Sequence, residues 1–228
     1  MSPPHPVDIP LPPHEQSRAD LYGLLGRLLL APPDDALLAA LAAAPPLDGG
    51  AAHVEDTERA PLARTWDALR AAARGDGDAI CERHAELFVS TAQPLLNPYA
   101  SLYLAGHLLD VPLARLRDDL ARLGLRRRAG VGEPEDHLGA LCEVMRLLIT
   151  GAPGLPRRTT AQQGAFFDTH IGPWAGRCLD DIDAAAGVGP GGAFLSALAA
   201  FMHAFLALES QAFELEAEAT DAEAAAPA

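Results

Sequence analysis

The residues best suited to chemistry stand together in Gly132-Glu133-Pro134-Glu135-Asp136-His137. Carboxylates and an imidazole fall side by side there, with a proline among them. Such a set can serve metal-dependent or nucleotide-hydrolysing chemistry, or form a recognition site. It can equally be a well-made helix start. Pro134 suits a first helical position, where its missing N–H costs nothing. Glu135 and Asp136 would then meet the positive end of the helix dipole. A helix predicted over 134–150 follows, with Leu138, Leu141, Cys142, Met145, Leu148 and Ile149 on one stripe at i, i+3, i+4, i+7 spacing. His137 lies at the edge of that stripe, where a histidine is more often packed than reactive.

Other chemistry finds less support in the spacing. A di-iron bundle needs Glu-x-x-His on two helices, whereas Glu133 and His137 are spaced differently and have no second copy. There is no HExxH, no CxxC and no GxSxG. The eight histidines are scattered. Gly187–Gly192 reads as a linker between helices rather than a phosphate cradle. Arg126-Arg127-Arg128 is a phosphate-binding candidate or a charged, solvated loop. Trp66, Trp174, Phe166 and Phe167 read as core.

The elements that position these residues are helical throughout. Periodicity predicts helices over about 13–30, 34–43, 57–75, 76–90, 99–109, 112–123, 134–150, 160–186 and 193–216. Asp34 is placed to cap the second and Thr57 to open the third. Gly172-Pro173 is a kink candidate in the eighth. No run alternates apolar and polar residues between strand-type flanks. The expectation is an all-α fold, a single helical bundle of about nine helices over residues 14–216. A proline-rich disordered leader (1–13) precedes it, and an acidic tail (217–228) follows.

Composition agrees. Hydrophobic residues make up 49% of the 228, and aromatics only 5%; Ala and Leu dominate, and both favour helix. The net charge of −14 opposes a nucleic-acid partner and favours a basic peptide. Cys81, Cys142 and Cys178 read as reduced thiols of a cytoplasmic protein. Neither a signal nor a transit peptide is recognisable at the start. The apolar run Ala193–Leu208, interrupted by His203, is expected to fall short of a membrane span.

Three blocks, in order, resemble the TorD/DmsD/NarJ-type redox-enzyme maturation chaperones, and the TorD/DmsD branch in particular. The first is Leu87-Phe88 with Asn97-Pro98-Tyr99-Ala100-Ser101-Leu102-Tyr103. The second is Gly124-Leu125 with Glu133-Pro134-Glu135-Asp136-His137-Leu138, similar to a Glu-x-Pro-x-Asp-His signature. The third is Phe166-Phe167 with His170 and Trp174. The likeness spans about residues 18–210. It implies a cytoplasmic chaperone rather than an enzyme. Such a protein binds the twin-arginine signal peptide, the apo catalytic subunit, or both, of a molybdopterin oxidoreductase, and holds back export until the cofactor is in place.

By that resemblance the peptide-binding positions are Tyr22, Leu87, Phe88, Pro98, Tyr99, Ser101, Glu133, Pro134, Asp136 and His137. Asp136 would accept a bidentate arginine contact, and Leu87 and Tyr99 would hold the apolar part of the signal. No catalytic residue, resident metal or cofactor is implied, although weak GTP binding is a feature of some relatives. A monomer or a domain-swapped dimer is expected, without stable membrane insertion. The competing readings are a nucleotide- or metal-dependent helical enzyme built on Asp136 and His137, and a permanent accessory subunit of an oxidoreductase.

Overall fold

A computed structural model describes residues 10–47, 59–89, 94–128, 130 and 132–225. Among them are ten helices and no strand, which establishes the all-α class. They are α1 (Pro13–Leu30), α2 (Asp35–Ala43), α3 (Arg59–Ala72), α4 (Gly77–Phe88), α5 (Ala100–Ala105), α6 (Val111–Leu123), α7 (Leu138–Thr150), α8 (Thr160–His170), α9 (Gly172–Ala186) and α10 (Gly189–Ala225). Residues 1–9 of the proline-rich leader lie outside the described residues. So do Thr57, Ser90 and the last three residues of the acidic tail.

The chain divides into two compact units. The first comprises Met1–Leu30, Pro98–Ala175 and Ser210–Ala228; the second comprises Ala31–Asn97 and Gly176–Glu209.

In the first unit α1 crosses α7 through two buried glycines. A Cβ on Gly26 would lie 2.9 Å from the Gly139 carbonyl oxygen, and a Cβ on Gly139 would lie 3.0 Å from that of Gly26. Backbone meets backbone here because neither position carries a side chain. Leu25, Leu28 and Leu29 of α1, and Leu141, Cys142 and Met145 of α7, are buried on the two helices. Farther on, the Trp174 indole N–H donates to the His170 carbonyl (2.7 Å), and its ring lies 5.4 Å from that of Tyr103. Phe167 and Phe213 rings pack at 5.4 Å.

In the second unit Trp66 is buried, donates its indole N–H to the Pro45 carbonyl (2.8 Å) and packs on Phe201 at 5.1 Å. Asp34 caps α2 through the Leu37 N–H, as its position predicts. Arg83 donates to the carbonyls of Ala185 and Ala186, satisfying the C-terminal end of α9. Gly191 sits so close to α4 that a Cβ would lie 2.4 Å from the Ala79 carbonyl oxygen.

Several boundaries differ from the periodic pattern. The stretch predicted as one helix from Thr160 to Ala186 is two. Pro173 has no N–H to continue the α8 ladder, and Ile171 closes that helix with φ −119°. The fifth helix stops at Ala105 rather than Leu109, because Gly106 turns left-handed at φ +81°. The last helix starts before Ala193 and continues past Glu216 to Ala225. The added C-terminal turns are rich in alanine and glutamate, both good helix formers. By length and composition its Gly189–Ala219 part is long and apolar enough to cross a membrane, which corrects the expectation that it falls short. More than half of its most apolar part is buried within the protein, as in a core helix.

Candidate functional site

Two helix starts in the first unit meet in one small structure. Tyr99 and His137 form an isolated antiparallel bridge. Around it the backbone bonds are reciprocal: Ala100 N–H donates to the Asp136 carbonyl (3.0 Å), and Leu138 N–H donates to the Pro98 carbonyl (2.9 Å). The residue leading into α5 thus holds the first residue of α7, and the reverse.

Side chains complete the caps. Tyr99, the N-cap of α5, makes no side-chain cap bond. Asp136 supplies it from the other strand of the bridge, its Oδ2 accepting the Ser101 N–H at 2.9 Å. His137 is the N-cap of α7, and its Nδ1 accepts the Gly139 N–H at 3.0 Å. An accepting Nδ1 places the proton of the neutral ring on Nε2.

This corrects the predicted helix start. Residues 134–137 form a turn, closed by His137 N–H to the Pro134 carbonyl at 3.3 Å, and α7 begins only at Leu138. Pairing with Tyr99 keeps His137 extended (φ −66°, ψ 134°), which overrides the local preference for helix at a Pro-Glu-Asp sequence. Asp136 therefore serves the dipole of α5, not that of α7.

The outer face carries the remaining carboxylates. The Tyr99 hydroxyl bonds the Glu133 carboxylate, and the Tyr99 ring stands edge-on to His137 at 5.2 Å and 81°. Burial first, then the Glu133 bond, pushes the Tyr99 phenol far above its ordinary value, so it stays a donor. Arg117 reaches Glu135 Oε2 with Nη2 at 2.8 Å and Nε at 3.1 Å. Arg127 adds Nε at 3.8 Å from Oε1 and donates to the Glu133 carbonyl at 3.3 Å. Burial alone would raise the Glu135 carboxyl. The Arg117 bond and the two guanidinium charges outweigh it and hold the group below its ordinary value.

The structure thus gathers Pro98, Tyr99, Ser101, Glu133, Pro134, Asp136 and His137. Tyr22 is fully buried in α1 of the same unit. Leu87 and Phe88 belong to the second unit. Leu87 is fully buried and its carbonyl accepts the Leu96 N–H (3.0 Å), while the Phe88 ring packs on His84 at 4.8 Å. Asp136 is 0% exposed and spends one oxygen on α5. Capture of an arginine by both of its oxygens, as the motif suggests, is closed in this arrangement. Its Oδ1 has no hydrogen-bond partner among the described residues. No group of three or more His, Cys, Asp or Glu side chains converges as metal ligands among the described residues.

Beside the mouth, α5, the start of α6 and the α8–α9 junction enclose a cavity of about 400 Å³. His170 on its wall is 7% exposed and pairs through Nε2 with Asp119 Oδ2 at 2.8 Å. Burial lowers its pKa and outweighs the carboxylate. The unfolded chain then takes up a proton near pH 6.5 that the folded protein still refuses, so stability falls as pH drops through about 6.5 toward the lowered value. The denaturation midpoint of the wild type is expected to fall between about pH 7.5 and about pH 5.5 by more than that of His170→Gln. Equal losses would assign the acid sensitivity to other groups.

Sequence spacing alone missed the Gly26–Gly139 crossing, the Asp136–Ser101 bond and Arg117 as the partner of Glu135. The glycine pair has a faint signal, one small residue on each of two leucine-rich stripes. The other two depend on which loops meet.

A family model described as nitrate reductase delta subunit matches residues 55–180. That is over half of the chain, and it includes every candidate position except Tyr22. No curated protein matches the chain.

Proposed function

Because the chain belongs to the nitrate reductase delta subunit family, whose members are maturation chaperones for molybdoenzymes rather than catalysts, we propose that it binds the twin-arginine leader of an apo molybdopterin oxidoreductase in the cytoplasm. The observation that carries this reading is the joined mouth of α5 and α7. It collects the motif residues on one rigid bridge and presents Tyr99, Glu133 and Glu135 on its outer side.

In this mechanism Asp136, Ser101 and His137 are positioning residues. They fix the two helix starts and so fix Tyr99 and Glu133. Recognition of arginine falls to Glu133 and Glu135. Glu135 already accepts two donors of one guanidinium, and Arg117 and Arg127 occupy the place of the incoming arginines. The leader must displace them or share the carboxylate. That exchange favours a segment with two adjacent guanidiniums over a single charge, since planar forks match carboxylates better than ammonium groups do. The net charge of −14 steers a basic leader toward the protein.

Calorimetry with a twin-arginine leader peptide of a molybdopterin oxidoreductase, against its twin-lysine variant, is the test. The arginine leader is expected to bind with micromolar affinity, about −8 kcal/mol, and the lysine form at least about tenfold more weakly. Equal affinities would remove arginine recognition from the mechanism. Glu135→Gln should shrink the gap between the two peptides.

A further inference from the structure

Nine large apolar side chains are exposed among the described residues, and four of them, Leu104, Leu108, Leu109 and Val111, fall between the end of α5 and the start of α6. Single exposed leucines need no account, but a cluster does. Leu109 is 68% exposed, and it is the one described non-glycine residue with a left-handed backbone, at φ +62°. A leucine there carries strain that glycine would relieve. The mouth maintains it: Leu109 N–H donates to Ser101 Oγ at 3.2 Å, and Ser101 N–H is held by Asp136. The fold keeps a strained leucine in solvent.

The cavity beside this turn is lined by Leu104, Val111, Leu116 and Pro173, with Arg115 at its wall. Arg115 is exposed and has no ion-pair partner among the described residues. It also begins a basic stretch. Six of the chain's 17 Lys and Arg residues lie between positions 115 and 128; Arg117 and Arg127 are taken up by Glu135 and Arg122 by Asp119, which leaves Arg115 as the cation that faces the groove. The groove is largely apolar, and Arg115 is the cation on its wall.

We infer that this groove docks an amphipathic, acidic segment of a partner protein. Its apolar side chains enter the cavity and cover Leu108 and Leu109, and a carboxylate meets Arg115. The inference rests on the chaperone reading for having a protein partner, but not on leader binding. Arg115 would repel a twin-arginine stretch, so the segment belongs to another part of the client. The positioning residues of the mouth acquire a second task, since Asp136 and Ser101 hold the turn that presents the patch.

The test uses the full chain and a labelled synthetic helix of leucine, alanine and glutamate, followed by fluorescence anisotropy. A second helix carries lysine in place of glutamate. The glutamate helix is expected to bind at least about tenfold more tightly. Arg115→Gln should erase that preference, and Arg115→Lys should keep part of it. Leu109→Gly should weaken both helices about tenfold while leaving the thermal midpoint unchanged or higher, because it removes apolar contact and strain together. Equal binding of the two helices would overturn the proposal. So would a preference that survives Arg115→Gln, an unchanged affinity in Leu109→Gly, or full displacement by dodecanoate at matched concentration. The twin-arginine leader is titrated in parallel. If it fails while the acidic helix binds, the leader reading falls alone; the opposite pattern removes only this inference.

Discussion

Gly139→Val is expected to destabilise the fold by about 3 kcal/mol, the upper part of the range for overpacking. In an open helix the change from glycine would help, since a side chain at such a position recovers about 0.5–1 kcal/mol of backbone entropy. Here sterics decide the sign. A Cβ at Gly139 meets Leu30 Cγ at 2.8 Å, the Gly26 carbonyl oxygen at 3.0 Å and Leu29 Cβ at 3.1 Å. Leu30 is partly exposed and can swing aside. The other two atoms move only if α1 moves. Valine adds two methyl groups to the same gap, so α1 and α7 must separate and lose the packing of their leucine faces. Chemical denaturation should show a lower midpoint with an unchanged slope. A midpoint within about 0.5 kcal/mol of the wild type would mean that the crossing is loose. Because the Gly139 N–H also holds His137, the same variant should weaken leader binding.

Asp136→Ala is expected to cost about 1–3 kcal/mol through the buried Ser101 N–H that it strands, with a few tenths to about 1 kcal/mol more from the lost charge at the start of α5. Leader affinity should fall with it, as Tyr99 and Glu133 lose their support. Asp136→Asn separates the roles. The amide oxygen can still accept the Ser101 N–H, so the fold should keep its midpoint to within about 1 kcal/mol. If Asp136 only positions the mouth, leader affinity is kept as well. A loss of affinity with an unchanged midpoint would show that the buried carboxylate itself meets an arginine after an opening of the mouth. Leu141→Ala is the control, expected to lose about 2–5 kcal/mol of core packing.

Much of the fold is written in local pattern. The leucine stripes of α1 and α7, the Asp34 cap and the glycine stop at Gly124 follow from residue type and spacing. What escaped is set by contacts between distant segments. Pro134-Glu135-Asp136 has the composition of a helix start, and only Tyr99, far away in the chain, makes it a turn. The break between α8 and α9 was visible as Gly172-Pro173, but its completeness was not. For the site, the structure brings most of the motif residues together and buries the Asp136 carboxylate against the Ser101 N–H. A carboxylate in a signature suggests an exposed ligand, whereas here burial and the Ser101 N–H make it a brace. Leu87 and Phe88 carried the resemblance equally well, yet they sit in the other compact unit as packed residues.

The Tyr99–His137 bridge also closes a loop in the topological sense. Everything from Ala100 to Asp136 leaves and returns through one pair of adjacent residues. Its closure entropy grows only with the logarithm of its length, about 0.6 kcal/mol for each doubling. Changes in its length therefore cost the bridge little closure entropy, provided that Ser101 and the Asp136 carboxylate remain at its ends. The α5–α6 excursion is in that sense a cassette. It can change length, charge and apolar patch from one relative to another while the clasp that bears the motif stays the same. Client choice can then diverge without refolding the chaperone, and a grafted excursion from a relative should carry its preference with it.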